Sequence, residues 1–187
     1  AGACGGEARG WPAAEKLGPQ RSSEDRDWTR HLEFASIELS LQNLMTFPCV
    51  STLVERGKLS LDDDLNHTLK SWKVPESHFT ATQKVTLRAL LSHTAGMTVG
   101  GFPGYEADKP VPDVIRILDG QPPSNTPPER SFEAPGGAFA YSGGGYTVAQ
   151  LAMIEAGDRD YPHLLQALVL RPAGMRRSTF AQPLPNR

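Results

Sequence analysis

The sequence predicts a mainly α domain, and three observations carry the prediction. Apolar residues recur at helical spacing in several separate stretches. Gly or Pro closes each stretch, as helix ends require. Alternating apolar and polar residues, the mark of half-buried strands, are scarce. With 187 residues, 39% hydrophobic and 21% charged, the chain is long enough for one domain with a buried core. Gly (18) and Pro (16) together make about 18% of it. Roughly 12% is ordinary, so many loops join the helices.

Each element has its own signal. Leu41, Leu44, Met45, Val50, Leu53 and Val54 recur at helical spacing, and Gly57 fits the C-terminal stop. Pro48 falls inside that run, where it removes a hydrogen bond at about 3 kcal/mol unless the helix starts or kinks there. Lys58–Leu61 reads as an extended link and Asp62-Asp63-Asp64-Leu65 as a short capped turn. Thr86 N-caps a helix through Leu87, Leu90 and Leu91 that ends near Gly96. Residues 98–110 form a Gly/Pro-rich loop, Val111–Leu118 a short helix, and Gln121–Gly137 a proline-rich connection. After Gly143-Gly144-Gly145, the residues Val148, Leu151, Ala152 and Glu155 set a one-sided helix up to Gly157. A last helix covers about Tyr161–Leu170 and stops at Pro172 and Gly174. Residues 1–33 hold few large apolar side chains beside a charged run, so an irregular or mobile segment is expected there.

Composition excludes several functions. Nineteen Lys+Arg against twenty-one Asp+Glu give a formal charge of -2, with no basic surplus for nucleic acid. No apolar run approaches the roughly 20 residues of a membrane span. The first thirty residues lack the apolar region of a signal peptide, and the compartment stays open. Cys4 and Cys49 make neither a disulfide framework nor a zinc site, and His31, His67, His78 and His163 lack ligand spacing. Asp62-Asp63-Asp64 lacks the spacing of a calcium loop, and the triple glycine lacks a Walker lysine. No metal and no cofactor are expected.

Three ordered blocks carry a resemblance. The first is Leu53-Val54-Glu55-Arg56-Gly57-Lys58-Leu59-Ser60-Leu61-Asp62-Asp63-Asp64-Leu65, and the second Leu87–Met97 with its Ser92-His93-Thr94 turn. The third runs from Ala134-Pro135-Gly136 through Tyr141-Ser142-Gly143-Gly144-Gly145-Tyr146 to Leu170-Arg171-Pro172-Ala173-Gly174-Met175 and Gln182-Pro183-Leu184-Pro185. Together they resemble the serine β-lactamase-like family: class C β-lactamases, low-molecular-weight penicillin-binding proteins, D-aminopeptidases and related esterases. That resemblance implies acyl transfer through a serine ester. A helix-borne Ser-x-x-Lys sets hydroxyl and amine one turn apart, a tyrosine loop reaches the same point, and a late Lys-Thr-Gly or His-x-Gly strand closes the far wall.

Carried over residue by residue, the resemblance assigns Tyr141 to the tyrosine loop, with Ser142 and Gly143 beside it on the substrate side. Counting back from Leu53 without gaps sets the nucleophile at Ser40, with Asn43 in the lysine position. A second register, from Phe34-Ala35-Ser36-Ile37, sets it at Ser36 with Leu39 in the lysine position. A surface or N-cap serine is the alternative for Ser40. Neither register supplies an amine, since no Lys lies between Lys16 and Lys58 and none follows Lys109. Asn accepts no proton as a base. The resemblance gives His93 a structural role in its turn.

The expected fold is therefore the helical lobe of the serine β-lactamase/transpeptidase-like α/β fold, over residues 34–187, with most of the sheet missing. Such a lobe exposes an apolar face, and self-association follows as an expectation. The expected function is a β-lactamase-related serine hydrolase acting on an ester, β-lactam or peptide-like substrate, with weak or lost activity. The alternative is a non-catalytic helical domain that binds a peptide or partner chain.

Overall fold

The computed structural model describes residues 43–106 and 109–181, so the expected irregular segment 1–33 lies outside the described residues. Helices supply the regular structure there, and strand pairing is confined to one isolated antiparallel bridge between Met97 and Ser131.

Helix α1 occupies residues 43–55 and runs through Pro48. Its buried line is Thr46, Cys49, Val50 and Leu53, spaced by three and four residues. Leu44 sits two positions before Thr46, about 200° round the helix, and is 62% exposed. The expected stripe through Leu44 is thus corrected: the face is set by Thr46, whose Oγ1 meets the Tyr161 hydroxyl at 3.1 Å. The stop at Gly57 has the Schellman form, with the Lys58 N–H donating to Leu53 O at 2.8 Å and the Gly57 N–H to Val54 O at 2.9 Å. Gly57 takes φ +66°, which suits a residue without Cβ.

Short capped helices follow. Asp64 caps α2 (Leu65–Thr68), Thr86 caps α3 (Leu87–Leu91), and Asp113 caps α4 (Val114–Asp119). Helix α4 begins at Val114 rather than Val111, because the Asp113 side chain satisfies the Arg116 N–H from the N-cap position. Helix α3 ends at Leu91, short of Gly96, because His93 turns to φ +55°.

Helix α5 (Gly143–Gly157) is the axis of the domain, in contact with α2, α3, α4 and α6. Every residue from Gly143 to Ala149 is buried, so the helix is enclosed rather than one-sided as its sequence pattern implied. Helix α6 (Tyr161–Leu165), capped by Asp160, passes into a π-helical turn at Gln166–Leu170. Leu87, Leu90, Val148, Met153 and Leu165 lie at the centre, each at most 2% exposed. Burying such a side chain is worth roughly 1.5–3 kcal/mol.

Candidate functional site

The tyrosine loop is built on the turn after α3. At φ +55°, the His93 carbonyl accepts the Ala140 N–H at 2.8 Å. The His93 Nδ1 accepts the Ser142 N–H at 3.2 Å. Between those two bonds Tyr141 lays its ring against the imidazole, with centroids 4.4 Å apart. Tyr146 stacks at 5.0 Å and Phe139 meets the ring edge-on at 5.6 Å. Burial holds the imidazole below the usual histidine range, against the upward pull of the Ser142 N–H. Accepting at Nδ1 fixes the neutral tautomer with its proton on Nε2.

Ser142 ends the loop and starts α5. Its Oγ donates to Val99 O at 2.8 Å and accepts the Gly145 N–H at 2.9 Å as the N-cap. The Gly143 N–H donates to Gly100 O at 3.1 Å, and the Gly144 N–H to Val99 O at 2.9 Å. The Ser142 hydroxyl and the Gly143 amide are therefore both engaged inside the protein, anchoring α5 to the 99–100 segment.

Tyr141 remains 46% exposed, and its hydroxyl reaches α1. There the Asn43 Nδ2 donates to the Tyr141 hydroxyl oxygen at 3.1 Å. Asn43, which the Ser40 register expects in the lysine position, thus meets Tyr141, and the contact leaves the phenolic proton free for another acceptor. An amide in that place can hold a hydroxyl but takes no proton. Ser40 and Ser36 lie outside the described residues.

Sequence reasoning missed Glu129. It is 1% exposed and sits beneath the start of α5. One oxygen accepts the Val99 N–H at 3.2 Å and the Thr98 hydroxyl at 3.3 Å, while Oε2 has no partner. Burial pushes its carboxyl up to about 7, past the opposing hydrogen bonds. A Cβ built on Gly144 falls 1.6 Å from that Oε2. The glycine run therefore makes room for a buried carboxyl. A charged residue in a proline-rich connection gives no pattern that marks it as buried.

No group of His, Cys, Asp and Glu comes together to hold a metal among the described residues. No helix among them is long and apolar enough to cross a membrane. An open cleft of about 550 Å³ is lined by Asp62, Lys84, Arg88, Ser92 and Thr94, but neither Tyr141 nor Asn43 borders it.

A family model described as Beta-lactamase matches residues 40–187. A Bacillus subtilis (strain 168) protein described as a penicillin-binding protein, PbpX, is 27% identical over 141 residues, covering 75% of this chain and 32% of its own. The β-lactamase/D-alanine carboxypeptidase of Yersinia pestis, solved with citrate, superposes with a TM-score of 0.60 at 28% identity, over 79% of this chain and 40% of that one. A penicillin-binding protein of Bacillus halodurans gives a TM-score of 0.54 at 25% identity, over 76% and 42%. The chain thus spans about a third of the curated relative and about two fifths of the two solved structures.

Proposed function

Because this chain belongs to the Beta-lactamase family, we propose that it is the helical lobe of a serine acyl-transfer site, with Ser40 as nucleophile and Tyr141 as proton-transfer partner. The observation that carries the reading is the Asn43–Tyr141 hydrogen bond at 3.1 Å. It supports the Ser40 register over the Ser36 register, because Asn43 follows Ser40 by three residues, the spacing of a Ser-x-x-Lys pair. In the Ser36 register the corresponding position is Leu39, which offers a tyrosine hydroxyl nothing.

In this reading the Ser40 oxygen bonds to an ester, β-lactam or peptide-like carbonyl carbon, its proton passes to the Tyr141 oxygen, and the phenolic proton passes in turn to the leaving oxygen or nitrogen as its bond to that carbon breaks. Asn43 orients Tyr141 but supplies no cation and no base. Ser142 and Gly143, buried and bonded to the 99–100 segment, serve the site by keeping Tyr141 in register with α5. Residues that act as a unit lose most of their rate when one is replaced, so this domain by itself turns over weakly or not at all. The domain spans residues 34–187 in this proposal.

A second reading rests on a separate observation. Leu44 (62% exposed) and Phe47 (59%) on α1, and Phe139 (70%) two residues before the half-exposed Tyr141, are large apolar side chains left in solvent. Exposed apolar groups of that size fit a face covered by a peptide, a partner chain or a second copy. A fluorescent penicillin and a fluorophosphonate probe separate the two readings. Labelling that is lost in Ser40→Ala supports acyl transfer, and no labelling from pH 5 to pH 9 favours the binding domain.

A further inference from the structure

We propose that the neutral imidazole of His93 is a proton-sensitive latch that positions Tyr141, holding it toward α1 and letting it go when Nδ1 is protonated. The inference rests on Tyr141 being the site tyrosine. His93 is a positioning residue here, not a catalytic one.

The geometry gathers three contacts on one histidine. Three consecutive residues of the tyrosine loop are tied to one side chain and its own carbonyl: Ala140 through His93 O, Tyr141 through ring contact, Ser142 through Nδ1. The Asn43 bond to the Tyr141 hydroxyl requires the phenol to stay where these contacts put it. The backbone at His93 is in the left-handed region at φ +55°, which most side chains occupy only under strain.

The chemistry of release follows from the donor and acceptor roles. The Ser142 N–H is a donor, and Nδ1 accepts it only while it carries no proton. Adding a proton turns Nδ1 into a second donor aimed at a first. The bond is lost, and the loop keeps only the Ala140 tie on that side. The titratable side chains against the ring are Tyr141 from the loop and Tyr146 from α5, whose hydroxyl donates to Leu91 O at 3.0 Å. Phe139 adds no charge, and Arg88, the cation of α3, is turned away to Asp62 in a two-bond pair. Nothing among these contacts offers a carboxylate to hold the protonated ring. Burial favours the neutral form, which keeps the latch closed at neutral pH.

The test reads the latch without any turnover, so it stands apart from the labelling experiment. The full chain is labelled with ¹⁵N and with ¹³C in its tyrosine rings. The Ser142 amide protection factor and the Tyr141 ring signals are then followed from pH 4 to pH 8. The expected result is a protection loss of about tenfold on acidification, the ratio for one lost hydrogen bond, with the same midpoint as the His93 ring. In His93→Asn, an amide oxygen takes the place of Nδ1 and tolerates the left-handed backbone. That variant is expected to keep the protection and lose the midpoint, whereas His93→Ala loses protection at every pH. Protection unchanged through the His93 titration, or a folded His93→Asn that retains the wild-type midpoint, overturns the latch. If probe labelling fails while the Ser142 midpoint is seen, the acyl-transfer reading falls and the latch remains.

Discussion

Asn43 and Tyr141, 98 residues apart in the chain, meet through a single hydrogen bond of 3.1 Å from the amide of one to the hydroxyl of the other. In the proposed Ser40 register, the amide fills the place where acyl transfer of this kind needs an amine. Asn43→Lys is therefore expected to raise the rate of covalent labelling by about 10²–10⁴-fold, the contribution of a positioned general base. A time course with a fluorophosphonate probe checks it, with Asn43→Lys/Ser40→Ala as the control. Equal labelling of Asn43→Lys and the parent would remove Asn43 from the site.

Gly144 and Glu129 compete for one volume. A Cβ on Gly144 would lie 1.6 Å from Glu129 Oε2 and 2.8 Å from the Val99 Cβ. Gly144→Ala is expected to destabilise the domain by about 1–3 kcal/mol, as overpacking does, even though Ala is the better helix former. Glu129→Ala in the same chain should recover part of that loss, because it empties the contested space. Denaturant midpoints of the two single variants and the double variant give the coupling. Simple additivity would show that the two residues do not share the volume.

The buried carboxyl also predicts a direction of pH dependence. Glu129 stands at about 7 in the folded chain against 4.5 as the ordinary value. The folded state binds the proton more tightly, so stability from this group is complete below about pH 4.5 and falls as pH rises through about 7. The difference between those values corresponds to about 3 kcal/mol. Asp62, Glu155 and Asp160 are held low, by Arg88, by the Ser71 and Lys70 donors and by His163, and they act in the opposite sense at acid pH. Comparing wild type with Glu129→Gln isolates the term. The variant is expected to gain stability relative to wild type from pH 5 to pH 8, and a pH-independent difference would contradict it.

Much of this scaffold was legible because local chemistry decided it. Thr86 caps α3, Gly57 stops α1, and Val148, Leu151 and Ala152 mark α5, each a short-range choice. The misses are places where distant contacts won. Leu44 belongs to an apolar pattern yet faces outward, since Tyr161 and Thr46 fix the rotation of α1. Helix α5 reads as amphipathic yet is enclosed, because four other helices surround it. Counting residues set Asn43 in the lysine position, but only the fold brings it to Tyr141. Glu129 and the three-point grip of His93 depend on neighbours thirty or more residues away and leave no periodicity behind.

The exposed apolar side chains of α1 lead to the last expectation. Leu44 and Phe47 are one turn apart on α1, so they stand side by side on its outer face. Neither contributes to the core: the buried line of α1 runs through Thr46, Cys49, Val50 and Leu53. Replacing them with charge should therefore change what the face binds and leave the fold intact, since surface substitutions away from caps and cores shift stability by about 0.5 kcal/mol or less. Leu44→Glu/Phe47→Glu is expected to lower the average mass measured by light scattering if copies of this chain cover the face, with the unfolding midpoint unchanged. The buried thiol of Cys49, pushed up to about 11 by its apolar surroundings, provides the internal check. It should stay as unreactive to a thiol reagent in the double variant as in the parent. An average mass that does not move while Cys49 stays protected would mean that this face is not where copies meet.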